Sequence, residues 1–109
     1  MRIVVLKSCD TCRKALRELT AAGVTPEVTD LRTDGLAREE IAEILSDVGE
    51  AALNRRSITW RGLSDAERAG DPVDLIARHP TLLKRPAVFH DGRWSVGWDA
   101  GVRNRLGLG

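Results

Sequence analysis

Two cysteines stand three positions apart near the start of the chain, in Cys9-Asp10-Thr11-Cys12, and there are no others among its 109 residues. Residues 2–6 read as a short buried strand and residues 12–22 as a helix, so the pair falls where a strand hands over to a helix. A helix start carries unpaired N–H groups and partial positive charge, and both stabilise a thiolate. Cysteines so placed titrate at roughly 3.5–7.5 rather than ~8.5. Lys7, Arg13 and Lys14 add positive charge nearby. Cys9 then reads as the attacking thiol, and Cys12 as the resolving thiol that closes a reversible disulfide. Half of a zinc site and a pair of inert core thiols also fit the spacing. There is no second Cys pair, however, and His79 and His90 each stand alone, so no metal is expected. The strand–CxxC–helix context favours redox chemistry.

Arginines are the other residues able to take part in such chemistry. Arg85, in Leu82-Leu83-Lys84-Arg85-Pro86, has a planar fork that suits an oxyanion or a carboxylate. Arg55 and Arg56 form a second basic pair. Any one of them alone is most simply a solvated basic side chain. Trp60, Trp94 and Trp98 read as core or shielding aromatics.

The elements that position these residues can be traced by periodicity. Ala15, Leu16, Leu19 and Ala22 share one face of the first helix, and Gly23 stops it. Residues 27–30 read as a second strand after Pro26. Ile41, Ile44, Leu45 and Val48 mark a second helix ended by Gly49, and short helical pieces follow over 50–78, with Asp71-Pro72 as a helix start. Residues 87–90 and 93–96 read as strands around an Asp91-Gly92 hairpin turn. A last helix is expected over 99–106. The sum is βαβ, a helical insertion, then ββα. This α/β order, with two parallel strands and an antiparallel hairpin, matches a thioredoxin-like mixed sheet. One domain is expected over 1–109, with its core at about 1–35 and 80–109 and the insertion at about 36–79. In that layout Pro86 falls in the slot of the cis-proline that faces the reactive cysteine.

Composition narrows the function classes. The chain is 42% hydrophobic and 30% charged, which excludes a disordered chain, and no apolar run approaches the ~20 residues of a membrane helix. A net charge of +1, from 17 basic and 16 acidic residues, argues against direct nucleic-acid binding. No secretory signal pattern is seen at the start, so a cytoplasmic protein is expected, one in which a permanent disulfide is disfavoured. A monomer is the default.

Three ordered blocks carry a resemblance. Cys9-Asp10-Thr11-Cys12-Arg13-Lys14-Ala15, Leu53-Asn54-Arg55-Arg56 and His79-Pro80-Thr81-Leu82-Leu83-Lys84-Arg85-Pro86 resemble the arsenate reductase (ArsC)/Spx family. Asp30-Leu31-Arg32, Asp34-Gly35-Leu36 and Ser57-Ile58-Thr59-Trp60 bring it nearest to the small YffB-like members. The resemblance implies a thioredoxin-like fold with a helical insertion. It also implies catalysis by Cys9 and Cys12, and substrate binding by Arg13, Arg55, Arg85 and Pro86. No bound cofactor is implied; glutathione is the expected co-substrate, with glutaredoxin or thioredoxin as partner. The leading expectation is a glutathione-dependent thiol reductase. The alternatives are an arsenate reductase and an Spx-like redox-sensing regulator that binds RNA polymerase. The pattern of the arsenate reductases breaks at Val5, where they carry a histidine, and at Val96-Gly97-Trp98, where they carry a third arginine. Cys12 also stands where they usually carry a serine.

Overall fold

Residues Met1–Leu108 are described in the computed structural model. In chain order the elements are β1 (Arg2–Val5), α1 (Asp10–Ala21), β2 (Glu27–Asp30), α2 (Arg38–Val48), α3 (Ile58–Arg61), α4 (Asp65–Arg68), α5 (Pro72–Arg78), β3 (Ala87–His90), β4 (Arg93–Val96) and α6 (Ala100–Arg105). Short 3-10 turns cover Gly49–Ala52 and Pro80–Leu82. The chain divides into two compact units. One is Met1–Gly35 with the segment from Arg85 onward, and the other is Leu36–Lys84.

The first unit is built on a four-stranded sheet of order β2-β1-β3-β4. β1 pairs parallel to β2, with Val5 opposite Asp30, and antiparallel to β3, with Val4 opposite Ala87. The β3–β4 hairpin turns on Asp91 (φ 52°) and Gly92 (φ 74°), the two positive φ values that a type I′ turn requires. Pleating sends alternate side chains to opposite faces. Ile3, Val5 and Val88 therefore share one face, where they bury Cys12, Ala15 and Leu19 of α1 together with Leu106. Full burial of such aliphatic side chains stabilises by roughly 1.5–3 kcal/mol each.

α1 starts two residues earlier than its apolar periodicity suggests, with Cys9 itself at the N-cap. It ends in a Schellman motif: the Val24 N–H donates to the Leu19 carbonyl (2.9 Å) and the Gly23 N–H to the Thr20 carbonyl (3.0 Å), with Gly23 at φ 77°. Ala22, placed by periodicity on the buried face, is the C-cap and is exposed; Val24 packs on the core in its stead.

In the second unit α2 buries Ile41 and Ile44, and α5 buries Leu75 and Ile76. An Arg38–Asp74 ion pair joins the two helices. The stretch read as short helical pieces resolves into separately capped turns. Ser57, Ser64 and Asp71 each accept a hydrogen bond from a first-turn backbone N–H. The Leu53–Leu83 bridge, with Lys84 N–H donating to the Ala52 carbonyl (2.7 Å), ties the unit's end to its middle. Among the described residues no helix is long and apolar enough to cross a membrane.

Candidate active site

Cys9 sits at the C-terminal end of the sheet's β1, at the mouth of α1. A four-residue turn carries the chain there: Cys9 N–H donates to the Leu6 carbonyl at 2.9 Å, and Arg13 N–H to the Cys9 carbonyl at 3.0 Å. The sulfur makes no full capping hydrogen bond. Its partial burial raises the thiol pKa, but the Cys12 backbone N–H, the Cys12 thiol and the Arg85 guanidinium together outweigh that, and the net shift is downward. Cys12 behaves oppositely. It is fully buried in the core, and burial, reinforced by the neighbouring Cys9, pushes its thiol up to about 11. Both are free thiols. The two cysteines thus split into a partly exposed, easily ionised thiol and a buried thiol that holds its proton.

Arg85 lies two residues before β3, and the strand's antiparallel course brings its guanidinium near Cys9, where its charge and hydrogen bonding favour the thiolate. The Arg85–Pro86 peptide bond is cis. Pro86 is buried, and its carbonyl accepts the Gly97 N–H at 2.9 Å. Arg13 donates to the Ser8 carbonyl (3.3 Å) and pairs with Asp10 (3.5 Å), so it braces the loop that presents Cys9. Arg55 belongs to the second unit. It pairs with Glu50 at 3.3 Å, lies over the Trp60 ring at 5.7 Å, and lines a shallow basin with Asn54, Arg56 and Lys84. Of the sequence-derived candidates, Cys9, Cys12, Arg13, Arg85 and Pro86 therefore fall in the first unit and Arg55 in the second.

Val5 and the Val96-Gly97-Trp98 segment are the two places where the chain breaks the arsenate reductase pattern. Val5 is fully buried in the core of the first unit. Trp98 packs against that core and donates its indole N–H to Glu18, which also pairs with Arg103 at 2.9 Å. Among the described residues no cluster of three or more His, Cys, Asp or Glu side chains is placed to hold a metal.

Sequence reasoning gave Asp30 no role in the site. It closes β2, is 4% exposed, and accepts backbone N–H groups from Arg32 (2.8 Å), Thr33 (3.1 Å) and Lys7 (3.2 Å). Burial raises its carboxyl pKa, but these three bonds and the Lys7 charge outweigh that and hold it below the usual carboxylate range. An acidic residue followed by Leu-Arg-Thr carries a turn signal, but nothing in sequence points to Lys7.

A parallel βα unit followed by a β-hairpin, with CxxC at the first helix start and a cis-proline before β3, defines a thioredoxin-like fold with a thiol site. The ArsC family profile matches residues 5–103, and the chain belongs to the ArsC family. The global transcriptional regulator Spx of Streptococcus pyogenes is 34% identical over 98 residues, covering 84% of this chain and 73% of that protein. The solved YFFB protein superimposes with a TM-score of 0.88 at 28% identity, covering 94% of this chain and 95% of its own. An arsenate reductase (ArsC) related protein from Brucella melitensis gives 0.73 at 29% identity, covering 97% and 93%.

Proposed function

We propose that this protein is a thiol–disulfide oxidoreductase that reduces glutathione-linked disulfides, with Cys9 as nucleophile and Cys12 as resolving thiol. The observation that carries the reading is the opposed ionisation of the two sulfurs: Cys9 lowered beside Arg85, Cys12 raised to about 11. In the first step the Cys9 thiolate attacks one sulfur of the mixed disulfide. A Cys9 mixed disulfide forms, the substrate S–S bond breaks, and the released thiolate takes a proton from solvent. In the second step the Cys12 thiol gives up its proton and its sulfur attacks Cys9 Sγ. The Cys9–Cys12 disulfide forms and the second thiol leaves. Two electrons from two glutathione thiols, or from glutaredoxin or thioredoxin, restore the dithiol. Because Cys12 holds its proton, a second glutathione thiol competes with it in resolving the intermediate. Arg85 steadies the thiolate, Pro86 shapes the adjoining backbone edge, and Arg13 holds the loop. Arg55 is the remaining binding candidate.

Arsenate turnover is expected to be weak. A multiply charged oxyanion needs several fixed cations; Val5 and Trp98 supply none, being committed to the core and to Glu18. The test is a reductase panel on purified protein, pairing glutathione mixed disulfides, protein disulfides and arsenate with glutathione–glutaredoxin and with thioredoxin. Turnover of the glutathione-linked substrate that is lost in Cys9→Ser, with a mass loss of about 2 Da on mild oxidation, supports the reading. Robust arsenate reduction lost in both Arg55→Ala and Arg85→Ala would replace it with arsenate reduction. A second reading, a redox-sensing regulator, is favoured by the Spx likeness over 84% of the chain. Capture of RNA polymerase that depends on the Cys9–Cys12 redox state, with no turnover in the panel, would establish it.

A further inference from the structure

Asp30 is an ionised group in a buried place, outside the cysteine motif. Its Oδ1 accepts the Arg32 and Thr33 N–H groups and folds the exit of β2 into a tight turn. Asp34 braces the same turn, its Oδ2 accepting the Asp30 N–H at 2.8 Å and its N–H returning to the Asp30 carbonyl at 2.9 Å. A turn needs no more than this, and an asparagine would make it as well. The second carboxylate oxygen does something else. Oδ2 crosses to the neighbouring loop and accepts the Lys7 N–H at 3.2 Å. Lys7 is inside the Leu6–Cys9 turn that delivers the nucleophile, and its backbone N–H is fixed by this bond as Ser8 is by Arg13. Keeping a buried carboxylate ionised is costly unless its oxygens are hydrogen-bonded, so the use of both oxygens is what makes this position tolerable for Asp.

We propose that Asp30 is a positioning residue for the nucleophile, its Oδ2 latching the Lys7 N–H and so holding the turn that sets the Cys9 sulfur against the start of α1 and Arg85. Asp30 touches no reacting atom. The inference rests on Cys9 being the nucleophile. Its sign separates it from a simple field effect. Asp30 carries negative charge, so deleting the charge alone would make a nearby thiol easier to ionise. Losing the latch works the other way, because a displaced sulfur loses the Cys12 N–H and the Arg85 guanidinium.

The measurement is the rate of iodoacetamide alkylation of Cys9 against pH, in a Cys12→Ser background. Asp30→Asn keeps an oxygen for Arg32 and Thr33 but turns an NH2 group toward the Lys7 N–H, so the crossing bond is lost together with the charge, whose loss alone would move the profile the other way. The profile is expected to move alkaline, with the rate at neutral pH falling about 3- to 10-fold, the worth of one ordinary hydrogen bond. Asp34→Ala, in the same turn without contact to Lys7, should leave the profile in place. An unchanged or acid-shifted profile in Asp30→Asn overturns the proposal, as does an equal shift in Asp34→Ala. Should Asp30→Asn fail to fold, an ester in place of the Leu6–Lys7 amide deletes the donor and keeps the carboxylate. It can be made by ligating synthetic residues 1–8 to a chain beginning at Cys9. The same alkaline shift is expected, and an unmoved profile is again refuting. Alkylation of the wild type separates the two readings. If Cys12 reacts before Cys9, the proposed function and the latch fall together. If Cys9 leads and Asp30→Asn changes nothing, the latch alone falls.

Discussion

Replacing Arg85 by alanine removes the guanidinium that, from just before β3, favours the Cys9 thiolate. A hydrogen bond to a charged group is worth roughly 1.5–3 kcal/mol. Cys9 is only partly buried, so solvent screens the pair, and the lower figure must be discounted further. About 1 kcal/mol remains, or roughly a fivefold change in the ionisation equilibrium. The Cys12 N–H stays in place in the variant, so the thiol keeps part of its acidity. Arg85→Ala in a Cys12→Ser background should therefore shift the alkylation profile of Cys9 alkaline and slow the reaction about fivefold at neutral pH. Arg85→Lys should fall between, since it keeps a charge but loses the fork. Rates at high pH, where every thiol is ionised, should converge for all three proteins. A profile identical to the parent would refute the reasoning, and so would a slowed rate at every pH, which would mean blocked access rather than weaker ionisation.

Two further outcomes follow from the same structure. Cys12 holds its proton up to about 11 when folded, against 9.0 ordinarily, so unfolding is favoured once the pH passes about 9 and the unfolded thiol ionises. Reduced protein should lose roughly 2–3 kcal/mol of stability between about pH 9 and 11 by urea titration, and Cys12→Ala should flatten that fall. Cys9 acts in the opposite sense, its contribution being present above its ordinary pKa and lost as pH falls through its lowered one. Leu19→Ala, fully buried on α1's inner face in its last turn, should cost about 2–5 kcal/mol; a cost below ~1 kcal/mol would contradict the packing described.

What sequence made legible was local. The apolar run of β1, the CxxC at a helix start and the Asp91-Gly92 turn each declare themselves within a few residues, because backbone conformation there follows from neighbouring side chains. Pro86 could be placed only once the strand order was in hand. The capping box of Ser64 and Glu67 was also local, a Ser followed three residues on by Glu, and went unread among the short helical pieces. Other features were hidden for a physical reason. The Asp30 bond to Lys7 ends on a backbone N–H, which every non-proline residue carries, so no side-chain pattern marks it. Trp98 and Glu18 meet across the α1 seam from distant parts of the chain. The start of α2 at Arg38 was invisible because its N-cap, Ala37, has no side chain able to accept a hydrogen bond.

The strand order β2-β1-β3-β4 has a consequence for the molecule's history. Cys9 is made before Arg85, which reaches the sulfur only when β3 docks antiparallel on β1. Until then the cysteine in a growing or unfolded chain is an unremarkable thiol, slow to react at neutral pH. Reactivity is switched on by completion of the sheet. Labelling of Cys9 at neutral pH therefore reports whether β3 has docked beside it.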